Sequence, residues 1–508
     1  MRVTISYPPI ESTKGIPLLS QNRQFQYFNN PTYIYPIVPA YAATMLQNAG
    51  YQVAWLDGIA EKWVYQRYLE ELESAQVDIL VIESKTPTIK MYWKIINDIK
   101  EKFPKIKIVL TGDHITALPL ESMEKCKIDY ILTGGDYDFT LLNLVKYLDK
   151  KVKFLEPGIY YRDRKGVAKN TGRFKLDHSL EKLPLIDRKL THWWLYAYDN
   201  GNFKYTPGTY TMVGRDCWWR RPSSSGGYGC VFCSWTSIYP RWRVGTPENL
   251  IREIKNCIKL GIREVFDDTG TFPVGPWLQK FCDLMIREGL NKKIKFGCNM
   301  RANGIKNQKT YDLMGKAGFR FILYGLESAS QKTLDKLNKG TTTENMVVAA
   351  KMAKKGGLEP HVTCMVGYPW ESKKDAEATV ARTRELFDKG YIDTLQATIV
   401  IPYPGTALFA ECEKKGWLKT KDWDRYDMRE PVMKSPIPER EIMELTQNIY
   451  TSFLIPRYIM RKLLSIRSWD DINYYGIRGG QYIFGHLKDF AKSQLNRRYK
   501  ASLSPVRN

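Results

Sequence analysis

Short apolar runs alternate with amphipathic helical patterns along most of this chain, and this alternation limits its fold more than any other feature. Parallel strands need a long crossover between them, and an α-helix is the usual crossover. Residues 1–150 show one such series, and residues 206–420 show a second. We therefore predict an α/β protein with an N-terminal doubly wound, Rossmann-like domain and then a partial (β/α)6 barrel.

The first series predicts five buried parallel strands, and polar or glycine-rich turns follow three of them. The strands are Val3–Tyr7, Gln52–Leu56, Asp78–Glu83, Ile106–Gly112 and Asp129–Gly134. Doubly wound sheets bind ligands at the carboxyl ends of their strands. The turns at residues 83–86, 111–114 and 133–136 lie there, and their glycines let a ligand approach the backbone closely. This edge is therefore a candidate ligand site.

The second series predicts six strands, and three cysteines follow the first of them. The strands are Thr209–Val213, Glu264–Asp268, Lys293–Asn299, Arg320–Gly325, Pro360–Gly367 and Thr394–Ile401. Barrel enzymes carry their active sites at the carboxyl ends of the strands. Cys217, Cys230 and Cys233 lie at such an end, in a loop that also contains glycines and tryptophans. We expect the active site at this position.

The three cysteines are spaced C-x12-C-x2-C, a pattern that suits a soft metal centre. A structural zinc site normally takes four protein ligands, so three thiolates indicate a centre with one open position. Ordinary buried or zinc-binding thiols are the alternative interpretation. The remaining six cysteines are scattered through helical and strand patterns and are interpreted as small core residues.

Composition indicates a cellular compartment and gives the net charge of the chain. Nine cysteines without a disulfide framework suit a reducing cytosol, and no uncharged apolar stretch is long enough to span a membrane. The formal net charge is +23. A basic protein can bind nucleic acid, a membrane surface or an anionic ligand, and a solvated lysine-rich surface is the alternative. Residues 451–508 carry 11 Lys and Arg against 3 Asp and Glu.

The cysteine segment, GRDCWWRRPSSSGGYGCVFCSW, resembles the cluster loop of the radical S-adenosylmethionine (radical SAM) superfamily. The usual spacing there is C-x3-C-x2-C, so this chain departs from it by an insert after Cys217. The resemblance implies that Cys217, Cys230 and Cys233 ligate a [4Fe-4S] cluster and that S-adenosylmethionine binds the fourth iron. It also implies reductive cleavage of this cofactor to a 5′-deoxyadenosyl radical, which takes a hydrogen atom from an unactivated carbon.

Strand-end segments after the cysteines resemble further motifs of this superfamily. They are FDDTGTF, NMRAN, GLES, MVGYPWES and PYPGT, in the family's order. The resemblance implies S-adenosylmethionine contacts from seven residues: Asp267, Asp268, Thr269, Arg301, Glu327, Ser328 and Gly367. No general acid or base is required for the radical step, so no catalytic residue is assigned.

The N-terminal domain resembles the cobalamin-binding half of the radical SAM enzymes that carry a vitamin B12 domain. The stretches that carry this resemblance are SYPPI, PAYAATMLQNAGYQVAWLD, TGDHITALP and ILTGGDYDFTLLNL. It implies cobalamin contacts from Ser84, Thr86, Gly112, His114, Gly134, Gly135 and Asp136. The DxHxxG histidine of other cobalamin proteins is absent, so cobalamin without a histidine on its lower face is expected. For His114, a structural hydrogen bond is the alternative role.

These expectations divide the chain into four parts. They are a cobalamin-binding domain (1–150), a linker with a hairpin (151–205), a radical SAM barrel (206–420) and a helical, basic C-terminal region (421–508). Residues 448–469 mix aromatic, aliphatic and basic side chains. A helix packed on the barrel is the favoured interpretation, and an interfacial helix on anionic lipid is the alternative. Pro456 is expected to kink or restart this helix.

The function that follows is a cobalamin-dependent radical SAM enzyme that methylates or otherwise remodels, for example cyclises, an unactivated carbon. We expect a small-molecule, lipid or peptide substrate, an electron donor such as flavodoxin or ferredoxin, and a cytoplasmic location with peripheral membrane contact as a further expectation. Nucleic acid is not expected as a partner. The alternatives are a radical enzyme that resembles tRNA methylthiotransferases and a non-catalytic protein that binds zinc or nucleic acid.

Overall fold

A computed structural model describes residues 1–18, 25–220, 229–239 and 241–480. These residues form two parallel sheets, each flanked by helices, and a set of C-terminal helices. The predicted α/β class, with a doubly wound sheet before a partial barrel, is confirmed.

The first sheet has the strand order β4-β1-β5-β6-β7-β8-β9 among the described residues. The strands of this region are β1 (Arg2–Tyr7), β2 (Ile16–Pro17), β3 (Tyr27–Phe28), β4 (Gln52–Asp57), β5 (Ile79–Ser84), β6 (Lys107–Gly112), β7 (Tyr130–Leu132), β8 (Ile159–Arg162) and β9 (Ala168–Asn170). Its helices are α1 (Ile37–Asn48), α2 (Tyr65–Ser74), α3 (Ile89–Lys102), α4 (Asp113–Ala117), α5 (Pro119–Lys125) and α6 (Tyr137–Leu148). Strands β4 to β7 and β1 are parallel, whereas β8 and β9 add an antiparallel hairpin. The hairpin predicted within the linker therefore extends this sheet.

The second sheet runs β10-β13-β14-β15-β16-β17 in chain order, and all of its described neighbours are parallel. The strands of this region are β10 (Gly208–Thr211), β11 (Gly214–Arg215), β12 (Arg243–Val244), β13 (Glu264–Asp267), β14 (Lys295–Met300), β15 (Phe319–Glu327), β16 (Glu359–Val366) and β17 (Thr394–Ile399). Its helices are α7 (Trp235–Ile238), α8 (Pro247–Lys259), α9 (Pro276–Arg287), α10 (Gln308–Lys316), α11 (Gln331–Lys336), α12 (Thr343–Lys355), α13 (Lys373–Asp388) and α14 (Ala407–Lys414). This is the open half-barrel expected from the sequence.

Local sequence explains several boundaries. Helix α8 begins at Pro247 because Thr246 caps it, its hydroxyl accepting a hydrogen bond from the Asn249 amide at 3.2 Å. Every residue of β5 is buried, as expected for a central parallel strand that carries helices on both faces. Apolar runs therefore locate the strands directly.

The C-terminal region is helical where it is described. It contains α15 (Glu439–Tyr450), α16 (Pro456–Ser465), α17 (Trp469–Asp471) and a π-helix over Ile472–Arg478. Pro456 begins a new helix, which agrees with the predicted restart. No helix in the described ranges combines the length and the apolar character needed to cross a membrane.

The carboxyl edge of the first sheet packs against the second region of the chain. Ile401, Tyr403 and Trp423 share one apolar cluster with residues of β5, β6 and α3. Trp235 and Tyr239, at α7, share another cluster with Leu132 and Tyr137. The two strand-end faces are therefore joined through buried side chains, and the cysteine loop lies at this junction.

Candidate functional site

The carboxyl ends of the barrel strands surround a cavity of about 180 Å³. Its wall includes all three candidate cluster cysteines and residues from the ends of five strands. The charged side chains of the wall lie at or beyond the strand ends, whereas neutral polar and aromatic side chains such as Tyr210, His361 and Gln396 lie within the strands, deeper in the barrel. The position agrees with the barrel rule applied to the sequence.

The three cysteines reach this cavity from two short segments. Cys217 follows β11, whereas Cys230 and Cys233 precede α7. The Cys217 Sγ lies 3.0 Å from the Thr271 Oγ1, and the Cys233 amide donates to the Cys230 carbonyl at 3.2 Å. None of the three forms a disulfide, and all three are partly buried. Burial raises the pKa of Cys217, although the Arg301 charge and the Thr271 hydroxyl oppose that rise.

Within the described residues, no group of three histidine, cysteine or acidic side chains is placed to hold a single metal ion. A four-iron cluster takes one thiolate for each iron, so its ligands surround the cluster and do not meet at one ion. Three cysteine thiols outside any disulfide line one cavity wall, and no fourth cysteine among the described residues lines it, so the donors fit such a cluster by their chemistry.

The insert between Cys217 and Cys230 is closed at its base, although residues 221–228 lie outside the described ranges. Arg220 forms a buried, two-pronged ion pair with Asp216, at 2.5 and 2.7 Å. The Trp219 Nε1 donates to the Asn338 carbonyl at 2.7 Å, and the Asn338 Nδ2 donates to the Gly229 carbonyl at 2.9 Å. Asn338 therefore ties the two stems of the insert together.

Arg301, predicted to bind the cofactor carboxylate, lies beside the thiols at the end of β14. Its guanidinium stacks on Trp219, 4.4 Å from the ring centre, and its Nη1 is 4.0 Å from the Cys230 Sγ. Its Nη2 donates to the Lys339 carbonyl. Its Nε is buried and has no hydrogen-bond partner among the described residues. An orphaned buried donor beside thiols suits an anionic ligand group.

The three residues predicted to contact S-adenosylmethionine at the end of the second barrel strand have two different roles. Asp268 lines the cavity and accepts a hydrogen bond from the Asn299 Nδ2 at 3.1 Å. Asp267 instead accepts hydrogen bonds from the Thr211 hydroxyl and from the Val213 amide. Thr269 accepts one from the Gly214 amide at 2.8 Å. Asp267 and Thr269 therefore brace β11 and β13, and neither belongs to the cavity wall.

Glu327 lines the cavity at the end of β15, where its φ is +63°. Its Oε1 accepts from the Lys339 Nζ at 2.6 Å, and both side chains are nearly buried. A Cβ on Gly325 would lie 2.1 Å from that carboxylate oxygen, so only glycine leaves room for the pair. The two side chains offer a cofactor one cation and one anion.

Ser328 and Gly367 lie outside the cavity wall. Ser328 accepts a hydrogen bond from the Ser330 amide at 3.1 Å, within the turn before α11. Gly367 has a φ of +93°, and its amide donates to the Glu371 Oε2 at 2.9 Å. Burial raises the pKa of Glu371 to about 8, because the amides of Gly367 and Tyr368 only partly offset the loss of solvation. Both positions shape the strand-end turns.

Sequence reasoning missed several residues that line the cavity. They include Asp216, Arg220, Asn299, Lys339, His361, Gln396 and Tyr403. Lys339 lies after the GLES segment, and no local sequence pattern indicates that its side chain reaches the cavity. His361 lies within β16, and burial lowers its pKa to about 3, so it is neutral. The alternation of inward-facing residues in β16 is the signal that could have located it.

The turns predicted to contact cobalamin lie together at the carboxyl edge of the first sheet, and all of them are buried. The His114 ring is 3.2 Å from both the Thr86 Oγ1 and the Glu121 Oε2, so it also has the structural bonds of the alternative interpretation. The Ser84 hydroxyl donates to a β6 carbonyl at 3.3 Å. Gly112 has a φ of +125°, and a Cβ there would lie 2.1 Å from the Ser84 carbonyl. Close backbone approach therefore requires this glycine.

The GGDYD turn contacts the barrel. A Cβ on Gly135 would overlap the Tyr239 ring at 1.8 Å, and Gly134 has a φ of +85°. Asp136 binds both terminal nitrogens of Arg243, at 2.6 and 2.7 Å, and contacts His178 at 3.1 Å. The glycine-rich turn predicted for a cofactor therefore also joins the two halves of the chain.

One buried hydroxyl at this edge is unsatisfied. Tyr92 lies in the first turn of α3, directly after β5, and its O–H has no hydrogen-bond partner within the described ranges. Burial raises its pKa, and the charges of Asp57 and Glu83 add to that rise. Hydroxyls, carboxylates and glycine turns suit a ligand rich in amide groups. The edge fits cobalamin in this chemical sense.

Two family models match the chain. "B12 binding domain" matches residues 30–139, and "Radical SAM superfamily" matches residues 224–382. The second match includes Cys230 and Cys233 and begins after Cys217.

Curated relatives match most of the chain. An uncharacterized methyltransferase of Pyrococcus horikoshii is 27% identical, over 84% of this chain and 90% of its own length. An anaerobic magnesium-protoporphyrin IX monomethyl ester cyclase of Cereibacter sphaeroides is 26% identical, over 91% of this chain and 72% of its own length. A relative named as a methyltransferase and one named as a cyclase thus each match most of this chain.

Two solved structures share the fold. The cobalamin-dependent S-adenosylmethionine radical enzyme OxsB superposes with a TM-score of 0.67 at 17% identity, over 96% of this chain and 72% of its own. The radical S-adenosylmethionine methyltransferase TsrM of Kitasatospora setae superposes with a TM-score of 0.63 at 14% identity, over 89% of this chain and 85% of its own. Both similarities support the fold described above.

Proposed function

This chain is a cobalamin-dependent radical SAM enzyme with an N-terminal B12-binding domain, and from that premise we propose that it methylates an unactivated carbon of an uncharged, partly aromatic or apolar substrate. Ring closure on the same carbon is the second outcome, favoured by the similarity to the anaerobic cyclase. The observation that carries the proposal is a single cavity with a charged end and a neutral end.

The charged end supports binding of the cluster and of S-adenosylmethionine. Cys217, Cys230 and Cys233 would hold three irons, and Arg301 would neutralise negative charge beside them. Asp268 and the Glu327–Lys339 pair would bind the ammonium and carboxylate of the methionine part. When bound, the cluster and S-adenosylmethionine would supply the radical that abstracts a hydrogen atom, and cobalamin would supply a methyl group. The protein contributes position and the exclusion of water.

The neutral end supports the assignment of the substrate class. Its wall includes Tyr210, Phe266, His361, Thr363 and Gln396, none of which is charged when His361 is neutral. An ionised substrate group would lose its hydration there without gaining an opposite charge, which is costly. Neutral amide, hydroxyl and ring nitrogen groups can still orient a substrate by hydrogen bonds. We therefore expect an uncharged reacting region.

The cysteines and the net charge bear on the cellular location and on the electron donor. None of the nine cysteines, all of which lie in the described ranges, forms a disulfide, which supports a reducing, cytoplasmic location. A one-electron donor such as a flavodoxin or ferredoxin would supply the cluster, and the surface carries the excess of positive charge that an acidic donor protein would meet.

The test begins with metal and corrinoid content after anaerobic purification from cells supplied with cobalamin. We expect about four irons and one cobalt per chain, and loss of the iron in Cys230→Ala. Cys126→Ala is the matched control, because Cys126 is a buried thiol of the first domain that donates to the Ser122 carbonyl. That variant should keep both metals.

Reaction products then test the chemistry. With a chemical reductant, the protein should convert S-adenosylmethionine to 5′-deoxyadenosine, and Cys230→Ala should not. Methyl-deuterated S-adenosylmethionine should transfer its label to neutral aromatic or polycyclic substrates in preference to charged ones. Zinc in place of iron would contradict the radical assignment, and iron without cobalt would contradict methyl transfer from cobalamin. Labelled transfer to charged substrates alone would contradict the substrate class.

A further inference from the structure

Exposed apolar side chains are concentrated on one short part of the surface. Of the 18 large hydrophobic residues that are exposed in the described ranges, seven lie between residues 454 and 472. Leu463 is 60% exposed, Leu464 is 62% exposed, and Trp469 is 77% exposed. Soluble surfaces rarely gather such residues unless they contact a partner or a membrane. We name Leu454, Ile459, Met460, Leu463, Leu464 and Trp469 the α16 face.

The opposite side of α16 is fixed to the barrel. The Tyr458 hydroxyl donates to the Asp393 carbonyl, and the Tyr458 ring meets Phe387 edge to face at 4.8 Å. Lys462 forms an ion pair with Asp393, and Arg461 donates to the Asp388 carbonyl at 2.8 Å. The helix is therefore docked firmly while its apolar side chains point away from the protein.

Basic residues border the α16 face. Residues 456–467 contain Arg457, Arg461, Lys462 and Arg467 and no acidic residue. The next acids, Asp470 and Asp471, are paired with Arg263 and Lys204. Arg457 remains 77% exposed at its side chain, 3.5 Å from Asp388. Lys462 is occupied by its ion pair with Asp393, and Arg457 has Asp388 as an exposed partner, so the positive border of the apolar face consists of Arg457, Arg461 and Arg467.

We propose that the α16 face is a docking surface for an anionic lipid membrane. A short amphipathic helix with leucines, a tryptophan and bordering arginines lies in the plane of a bilayer interface, its apolar side among the acyl chains and its cations at the headgroups. The arginines favour an anionic membrane over an uncharged apolar partner, because such a partner would offer them no opposite charge. The helix enters the interface and does not span it, in agreement with its ten residues.

Docking at this place would orient the enzyme on the membrane. Residues of α16 contact the C-terminal end of α13 and the residues that enter β17, so the surface lies at the amino-terminal side of that strand. The cysteines and the charged groups of the cavity lie at the carboxyl ends of the strands. The membrane would therefore hold the protein without covering the site.

The experiment is vesicle flotation of the full-length, cluster-loaded protein purified anaerobically. We expect flotation with vesicles of phosphatidylcholine mixed with phosphatidylglycerol and little with phosphatidylcholine alone. The double variant Leu463→Asp, Leu464→Asp should lose at least about tenfold of the bound fraction. The matched control is Val348→Asp, Leu120→Asp, which changes two equally exposed apolar residues elsewhere and should bind as the unchanged protein does.

Two further measurements keep the result decisive. Circular dichroism and iron content must match between the two double variants, so that loss of binding is not loss of folding. Tryptophan emission should shift to the blue on binding anionic vesicles, and Trp469→Phe should reduce that shift. Equal flotation of the two variants would overturn the proposal. Absence of flotation would also overturn it. This holds if light scattering shows that a second copy of the chain covers the face, and it holds equally if removal of residues 481–508 is needed to uncover the face.

Discussion

Replacing Asp138 by asparagine should destabilise the protein by about 3–5 kcal/mol, because it leaves a buried arginine without its counter-ion. The Arg215 Nη2 lies 2.6 Å from the Asp138 Oδ2, and both side chains are 0% exposed. Arg215 also donates to the Gly135 carbonyl at 3.1 Å, so it cannot turn to water without breaking the contact between the domains. Burial raises the pKa of Asp138, and the guanidinium opposes that rise.

The size of the effect follows from the environment of the pair. An exposed ion pair contributes roughly 0–1 kcal/mol, because water solvates both partners when the pair is broken. A buried pair differs, since removal of one partner leaves the other charge with neither water nor counter-ion. Asp149→Asn is the matched control. Its carboxylate pairs with Lys151 at 2.8 Å with side chains 31% and 55% exposed, so its replacement should leave the urea midpoint nearly unchanged.

The assay is urea unfolding of the iron-loaded protein, followed by tryptophan fluorescence. Urea is preferred to guanidinium chloride because guanidinium is a salt and screens ion pairs. The double variant Arg215→Met, Asp138→Leu completes the test. It removes both charges, so it should recover most of the stability that Asp138→Asn loses. An Asp138→Asn midpoint equal to that of Asp149→Asn would refute the reasoning, as would a double variant no more stable than the single one.

Three further outcomes are expected. Burial opposes protonation of His178, but hydrogen bonds to Asp136 and Glu156 outweigh it and raise its pKa to about 9. The stability that His178 contributes is therefore complete below about pH 6.5 and lost as the pH rises through 9. His178→Gln should flatten the pH dependence of the urea midpoint over that window. Arg301→Gln should lower the midpoint potential of the cluster in a titration followed by electron paramagnetic resonance, and Arg301→Lys should restore part of it; an unchanged potential would contradict the role beside Cys230. Asn338→Asp removes the amide donor to the insert stem, a hydrogen bond that contributes about 1 kcal/mol. The variant should therefore lose iron faster than the unchanged protein under mild chelation. Iron loss at the unchanged rate would contradict the role of the stem contact.

The strands were predictable because buried parallel strands are nearly continuous apolar runs. The observed bounds differ from the predicted runs by one residue at the start of β6 and by two residues at the end of β17. The cavity wall was predictable in part for a related reason. Cys217, Asp268, Arg301 and Glu327 all follow strands, and the carboxyl ends of parallel strands meet at one edge.

The partners of the two aspartates of the GGDYD turn were not predictable, because each partner lies far along the chain. Asp138 and Arg215 are 77 positions apart, and Asp136 and Arg243 are 107 apart. The two aspartates of GGDYD look alike in sequence, and only the packing of the domains assigns each its own arginine. Local pattern could identify the turn as functional but not which surface it would meet.

The departure from the usual cysteine spacing has a physical explanation in the stems of the insert. A loop of twelve residues between two ligands would let Cys217 and Cys230 separate if nothing closed it. Asp216 and Arg220 close one stem, and the carbonyl and side-chain amide of Asn338 bind Trp219 on that stem and Gly229 on the other. The Val231 amide donates to the Leu337 carbonyl at 3.1 Å in the same turn. The positions of the thiols therefore depend on contacts to the turn after α11, and the number of residues between the cysteines can vary as long as both stems reach that turn.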